Sequence, residues 1–131
     1  MSTLNVANIT DGTDTVATGY VVNGSAKAWV NFNGTGTIAV RDSMNVSSLT
    51  DNGAADYAVN FGNNMANTSY AFQLANNSNV TTFGAIFGGF QWANDVKSTS
   101  TIEAHFVYQN ASNGGSYEPS EVNYLIHGDL A

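Results

Sequence analysis

The stretch that decides the fold class is residues 28–40, which read AWVNFNGTGTIAV. Its first half alternates apolar and polar side chains, with Val30 and Phe32 on one face and Asn31 on the other. A period of two is typical of a strand that buries one face. Asn33-Gly34 follows, and because both residues tolerate positive φ, this pair predicts a hairpin that leads into a second strand.

The same alternation recurs along the rest of the chain. A strand through Met44 and Val46 leads to a second turn at 50–53, and further alternating runs lie at 57–61, 70–74, 102–108 and 122–127. Helical periodicity is almost absent. The sequence therefore predicts an all-β single domain, an antiparallel β-sandwich or jelly-roll-like module. We expect these residues in its core: Val30, Phe32, Ile38, Val40, Val46, Tyr57, Val59, Phe61, Phe72 and Phe106.

The first 24 residues follow a different pattern. Leu4, Val6 and Ile9 are apolar, but Thr, Asp and Gly dominate the segment and the alternation is broken. We interpret residues 1–24 as an extended N-terminal arm, a peripheral or anchoring strand, and residues 25–131 as the β-sandwich module. The arm is expected to join neighbouring copies or other proteins, because an extended strand can add to a partner's sheet edge.

Charge excludes several classes of partner. The 131 residues contain three Lys and Arg against ten Asp and Glu, a net charge of −7. Binding to nucleic acid or to an anionic membrane needs clustered cations, so neither is expected as a partner. There is no cysteine for a disulfide or a thiolate metal site. The N-terminus lacks the basic segment and apolar run of a signal peptide, so we expect a protein made soluble in the cytoplasm of a cell.

Candidate reactive groups are few. His105 and His127 lie on alternating strands, where they can face each other, cluster about a symmetry axis around a metal, or simply stand alone. Asp11–Asp14 and Asp51–Asp56 contain oxygen ligands of the kind that calcium prefers, but both lack the closing Glu of a calcium loop, and Asx turns explain them. The sequence favours isolated histidines and polar turns. We therefore expect no enzyme activity, no metal and no cofactor.

The aromatic residues are the better candidates for recognition. Trp92, Tyr108 and Tyr117 can stack on sugar rings, and Tyr117 lies in a Gly-rich loop, where recognition residues are often found. Trp29 and Phe87 are instead assigned to an interface between subunits or with other proteins. Apolar surface in excess of what one small sandwich buries, with Phe83, Ile86 and Phe90 around Phe87, predicts a homo-oligomer, specifically a homotrimer.

Residues 24–53, GSAKAWVNFNGTGTIAVRDSMNVSSLTDNG, continue as DYAVNF at 56–61, Met65 and Tyr70-Ala71. This pattern resembles a module of tail-fibre and related virion structural proteins from bacteriophages of the marine and cyanobacterial type. The similarity covers just over a third of the chain, and YLIHGD at 124–129 also fits. The resemblance implies an outward-facing, trimeric, non-enzymatic component of the virion surface.

Two functions remain open at this point. The first is a tail-fibre-type module that attaches the particle to a receptor on the host surface, for which a glycan is the expected class. The alternative is a decoration or accessory protein of the capsid or tail that stabilises the particle. Both require other virion proteins as partners.

Overall fold

Strands account for most of the structure, which is a computed structural model that describes residues 3–77, 85–89, 95–109 and 114–131. In chain order the elements are β1 (Asn8–Thr10), β2 (Thr15–Ala17), α1 (Thr18–Gly24), β3 (Ala28–Asn33), β4 (Ala39–Met44), β5 (Val46–Gly53), β6 (Asp56–Phe61), β7 (Ala71–Asn76), β8 (Ala85–Gly89), β9 (Thr101–Gln109), β10 (Gly114–Ser116) and β11 (Val122–His127). Within the described residues, no helix is long and apolar enough to cross a membrane.

Two antiparallel sheets form the module. One has the strand order β4-β3-β11-β7, and the other has the order β10-β9-β6-β5, with β8 also paired to β9. Buried and half-buried residues alternate along β3, β9 and β11, as expected for strands that bury one face against an opposite sheet. The prediction of an all-β, sandwich-like domain is confirmed.

Aromatic rings from both sheets meet in the core. Phe32 and Tyr57 pack edge to face with their centroids 5.3 Å apart, and the rings of Phe106 and Tyr124 pack beside them. The buried hydroxyls have acceptors: Tyr57 donates to the carbonyl of Gly34 at 2.5 Å, and Tyr124 donates to the carbonyl of Tyr57 at 3.0 Å. Burial raises the pKa of both phenols, so both stay protonated and able to donate even above their ordinary pKa of 10.

The expected core residues are mostly buried, with one error. Val30, Phe32, Tyr57, Val59, Phe61 and Phe106 are buried, and Ile38, Val46 and Phe72 pack half-buried against them. Val40 is 47% exposed, so its prediction was wrong. It lies opposite Phe32 on the edge strand β4, next to a bulge, and five of the six β4 residues are exposed. An edge strand has a neighbouring strand on one side only, so fewer side chains surround Val40 than surround the residues of β3 or β11.

Asn45 marks the point where the chain passes from one sheet to the other. β4 ends at Met44 in the first sheet and β5 begins at Val46 in the second, so the predicted continuous strand is in fact two. Asn45 has φ +56°, a left-handed conformation that Asn tolerates better than most residues. Its side chain donates to the carbonyls of Lys27 and Asn63 and accepts from the Asn63 amide at 2.6 Å. These hydrogen bonds stabilise the corner at Asn45, where the chain passes from one sheet to the other.

The predicted hairpin at Asn33-Gly34 exists, but Gly34 is needed for a steric reason. β3 and β4 pair across a loop in which Gly36, with φ +63°, has the left-handed backbone. A Cβ on Gly34 would lie 2.8 Å from the Pro119 carbonyl oxygen and 2.9 Å from the Tyr57 hydroxyl. The glycine therefore allows the loop to approach the core.

The N-terminal arm has more structure than the sequence predicted. β1 and β2 pair as a small hairpin, and the seven-residue helix α1 follows without a side-chain cap. Asp11 Oδ1 accepts from the amides of Thr13 and Asp14, and these bonds lower the pKa of Asp11. This is the Asx-turn geometry that the sequence favoured over calcium. Of residues 3–24, Thr18 is half-buried and the rest are exposed.

Candidate functional site

The arm carries the largest concentration of exposed apolar side chains. Seven of the twelve exposed large apolar residues in the described part of the chain lie there: Leu4, Val6, Ile9, Val16, Tyr20, Val21 and Val22. Leu4 is 82% exposed and Tyr20 77%. The sequence analysis identified Leu4, Val6 and Ile9 but missed the run on α1. The three consecutive apolar residues at 20–22 could have indicated this exposed surface, because the rest of the arm has no apolar pattern against which they could pack.

Trp29 lies at the centre of a row across the outer face of the first sheet. Its registered neighbours are Met44 on β4 and Leu125 on β11. Trp29 and Leu125 are half-buried, and Met44 is 41% exposed. In the adjacent row, Asn31 donates to Asn123 at 2.7 Å. The outer face thus combines an apolar row with a hydrogen-bonded polar row, a composition that suits a protein interface.

Phe87 lies on β8, opposite Val107, and is 53% exposed. It therefore belongs to the other sheet, and the structure does not place it on the surface that contains Trp29. Ile86 is half-buried. Phe83, Phe90 and Trp92 lie outside the described residues.

Tyr108 and Tyr117 lie near each other in the second sheet, at its β9–β10 edge. Gly115 of β10 is opposite Tyr108, and the Tyr117 amide donates to the carbonyl of Phe106 at 3.0 Å, directly after β10 ends. Both side chains are half-buried. The two tyrosines are thus neighbours, both half-buried, at one edge of the second sheet.

The two histidines do not face each other, because His127 lies on β11 in the first sheet and His105 on β9 in the second. His105 is instead directly opposite Asp56 on β6. Its Nδ1 lies 3.6 Å from Asp56 Oδ1 and 3.4 Å from Asp95 Oδ1. The structure therefore brings together one of the candidate histidines and the last residue of the 51–56 acidic segment, which the sequence analysis treated separately.

This cluster is partly withdrawn from water. The exposed fractions of the side chains are 15% for Asp56, 3% for Asp95 and 13% for His105. Desolvation, together with the adjacent carboxylate of Glu103, raises the pKa of Asp56 from 3.8 to about 6, although the charge of His105 opposes the shift. Among the described residues these three form the group able to hold a metal ion, with ligand atoms within 4.8 Å of one another.

No family model matches the sequence, and no curated protein or solved structure matches it either. Function is therefore argued from the surfaces of this chain and from the sequence resemblance.

Proposed function

We propose that this protein is a non-enzymatic structural component of the surface of a bacteriophage particle, and that it assembles there through its N-terminal arm. The observation that carries the proposal is the exposed apolar surface of the arm. Its side chains pack against no core of their own: Leu4, Val22 and Tyr20 are 60–82% exposed. Complete burial of an aliphatic side chain such as Leu4 or Val22 is favourable by up to about 1.5–3 kcal/mol, from which the cost of association is subtracted.

The arm also offers main-chain hydrogen bonds. β1 and β2 form a sheet of only two strands, so each strand has one unpaired edge. An unpaired edge beside exposed apolar side chains allows strand addition to a neighbouring sheet, with affinity from the backbone and specificity from side chains such as Ile9 and Val16. This arrangement supports the accessory role, in which the protein is attached to capsid or tail proteins.

Trp29 with Met44 and Leu125 supports self-association as the second part of the proposal. A tryptophan between two apolar neighbours on a sheet face has the composition of an interface centre. We assign this row to contacts between copies of the chain, for which a trimer is the proposed state.

Receptor attachment is the second candidate function, and Tyr108 and Tyr117 favour it. Their partial exposure at the β9–β10 edge suits stacking on a host-surface glycan. Soluble protein that labels host cells, with labelling lost in Tyr117→Ala and retained in Tyr20→Ala, would support this role. Equal labelling by both variants would contradict the assignment of these tyrosines.

The experiment that tests the arm compares four proteins by multi-angle light scattering and by binding to purified particles. These are the full chain, a deletion of residues 1–24, the arm variant Val22→Ser and the control Val40→Ser. Val22 and Val40 are 60% and 47% exposed, and only Val22 lies in the arm. We expect the deletion and Val22→Ser to lose particle binding with their β-rich circular dichroism intact, and Val40→Ser to behave as the full chain.

Two results would contradict the proposal. If the deletion variant unfolds, the arm is part of the folding unit and not an anchor. If it folds and still binds particles, attachment takes place through another surface, for which the face carrying Phe87 is the next candidate.

A further inference from the structure

Three side chains from separate parts of the sequence converge on the outer face of the second sheet. Asp56 begins β6, His105 lies opposite it on β9, and Asp95 lies on the segment that precedes β9. His105 Nδ1 is 3.4 Å from Asp95 Oδ1 and 3.6 Å from Asp56 Oδ1. An imidazole nitrogen and two carboxylate oxygens are a common donor set for zinc and similar metals.

The distances between these atoms match those of a metal site. Bonds of 2.0–2.1 Å from a tetrahedral zinc ion place neighbouring ligand atoms about 3.3 Å apart. The two measured separations exceed this value by only a few tenths of an ångström. A direct hydrogen bond from the imidazole to Asp56 would be shorter than the observed 3.6 Å. His105 Nδ1 and Asp95 Oδ1 also form a long hydrogen bond with each other. All three ligand atoms lie within 4.8 Å of one another, a spacing compatible with ligands around a shared ion.

Asp56 Oδ1 gives an independent indication of a missing partner. This one oxygen is buried and has no hydrogen bond within the described residues, although the Asp56 carboxyl group also interacts with the carboxyl group of Glu103 by a side-chain hydrogen bond. A buried carboxylate oxygen without a donor costs free energy, so such atoms usually have a bonded hydrogen or a cation beside them. Asp56 Oδ1 lies 3.6 Å from His105 Nδ1, and the ligand atoms of Asp56, Asp95 and His105 lie within 4.8 Å of one another.

No lysine or arginine side chain is placed to neutralise the carboxylates of Asp56 and Asp95. The chain's three Lys and Arg residues are bonded to carbonyl oxygens elsewhere: Lys27 to Val22 and Ser25, Arg41 to Ser120, and Lys97 to Tyr70. Two carboxylates, with that of Glu103 nearby, therefore face one imidazole. A divalent cation would balance this charge.

Glu103 holds the ligand-bearing segments in place. It lies two residues before His105 on β9 and thus on the same face of the strand. Its Oε2 accepts from the Val96 amide at 3.1 Å, and its own amide donates to the Val96 carbonyl at 2.8 Å, which fixes the residue after Asp95. Its Oε1 accepts from Asn52 Nδ2 at 2.7 Å. Outer contacts of this kind orient metal ligands.

We propose that Asp56, Asp95 and His105 bind a divalent transition metal of the zinc type through Asp56 Oδ1, Asp95 Oδ1 and His105 Nδ1. The fourth position is taken by water, which reaches the cluster through the small exposed fractions of Asp56 and His105. Calcium is disfavoured because it prefers oxygen ligands throughout. The metal would tie β6, β9 and the segment at 95–96 together and stabilise the fold.

The test uses the full-length protein, stripped with chelator and titrated with Zn²⁺ in a calorimeter, with the thermal midpoint measured in parallel. We expect one ion per chain and a midpoint that rises with zinc and returns on chelation. His105→Gln and Asp95→Asn should weaken binding at least about 100-fold, and Glu103→Gln about 10-fold. His127→Gln is the matched control and should bind as the wild type does. Excess Ca²⁺ should not displace zinc.

Asp56→Asn separates a metal site from a simple ion-pair network. If the cluster binds metal, this variant in chelator should be at least as stable as the wild type, because a carboxylate lacking a bonded donor has been removed, yet it should gain nothing from zinc. If Asp56→Asn is strongly destabilised in chelator and zinc leaves the wild-type midpoint unchanged, the cluster is an ion-pair network and the proposal is wrong. Equal zinc affinity in His105→Gln and the wild type would also overturn it.

Discussion

Replacing Asn45 with alanine should destabilise the fold by about 2.5–5.5 kcal/mol, a large effect for a residue that is only half-buried. Alanine at φ +56° costs about 1 kcal/mol, because its Cβ crowds the backbone in the left-handed region. Three side-chain hydrogen bonds, to the Lys27 carbonyl and to both backbone groups of Asn63, are also lost. Each contributes about 0.5–1.5 kcal/mol net.

Asn45→Gly is the matched control for this prediction. Glycine removes the same three hydrogen bonds but adopts positive φ without strain, so it should be about 1 kcal/mol more stable than Asn45→Ala. Urea unfolding followed by circular dichroism measures both differences, provided that the m-value stays constant. If Asn45→Ala loses less than about 1 kcal/mol, or if the two variants are equally stable, the side chain does not hold the corner between the sheets as described.

Three further predictions concern the core and the acidic cluster. Gly88→Val should lower the free energy of unfolding, measured in urea, by at least about 1–3 kcal/mol, because a Cβ at this position would overlap Cε1 of Phe106. A variant of wild-type stability would show that β8 does not pack on that ring. Tyr57→Phe should cost about 1–2 kcal/mol by the same assay, since it leaves the buried carbonyl of Gly34 without its donor, and no change would mean that water replaces the hydroxyl. The folded-state pKa of Asp56, about 6, lies above its ordinary 3.8, so protonation of Asp56 stabilises the folded state. In chelator this contribution is complete below pH 3.8 and is lost as the pH rises through 6. The urea midpoint of the wild type should therefore fall over this range, and that of Asp56→Asn should lack the decline.

Sequence patterns were sufficient for the sandwich because burial here follows strand periodicity closely. The alternation in β3, β9 and β11 reports which side faces the opposite sheet, and the structure confirms it. Val40 shows the limit of the method. Its local pattern matches a half-buried strand, but burial also depends on whether the strand lies at the centre or at the edge of its sheet, and periodicity contains no such information. The corner at Asn45 was missed for the same reason, since the apolar pattern continues across it.

The candidate sites were harder to predict because they depend on register. The sequence marked His105 and the segment ending at Asp56 as separate weak candidates, and only the pairing of β6 with β9 places them opposite each other. Asp95 was not considered, because no spacing pattern links it to either residue. In the arm, α1 has neither a capping side chain nor an amphipathic repeat, so the sequence offered no reason to expect a helix there.

The position of β11 affects how the protein can fold as it is synthesised. In its sheet β11 lies between β3 and β7 and pairs with both. It begins about 45 residues after β7 ends, so the sheet can be completed only late in synthesis. While a ribosome is still translating that stretch, the edge of β3 that will later pair with β11 is unpaired. Trp29 and Val30 lie on this strand. Such a nascent chain is exposed to pairing with its neighbours on the same message. The time that translation of residues 77–122 takes then sets how long this edge stays exposed.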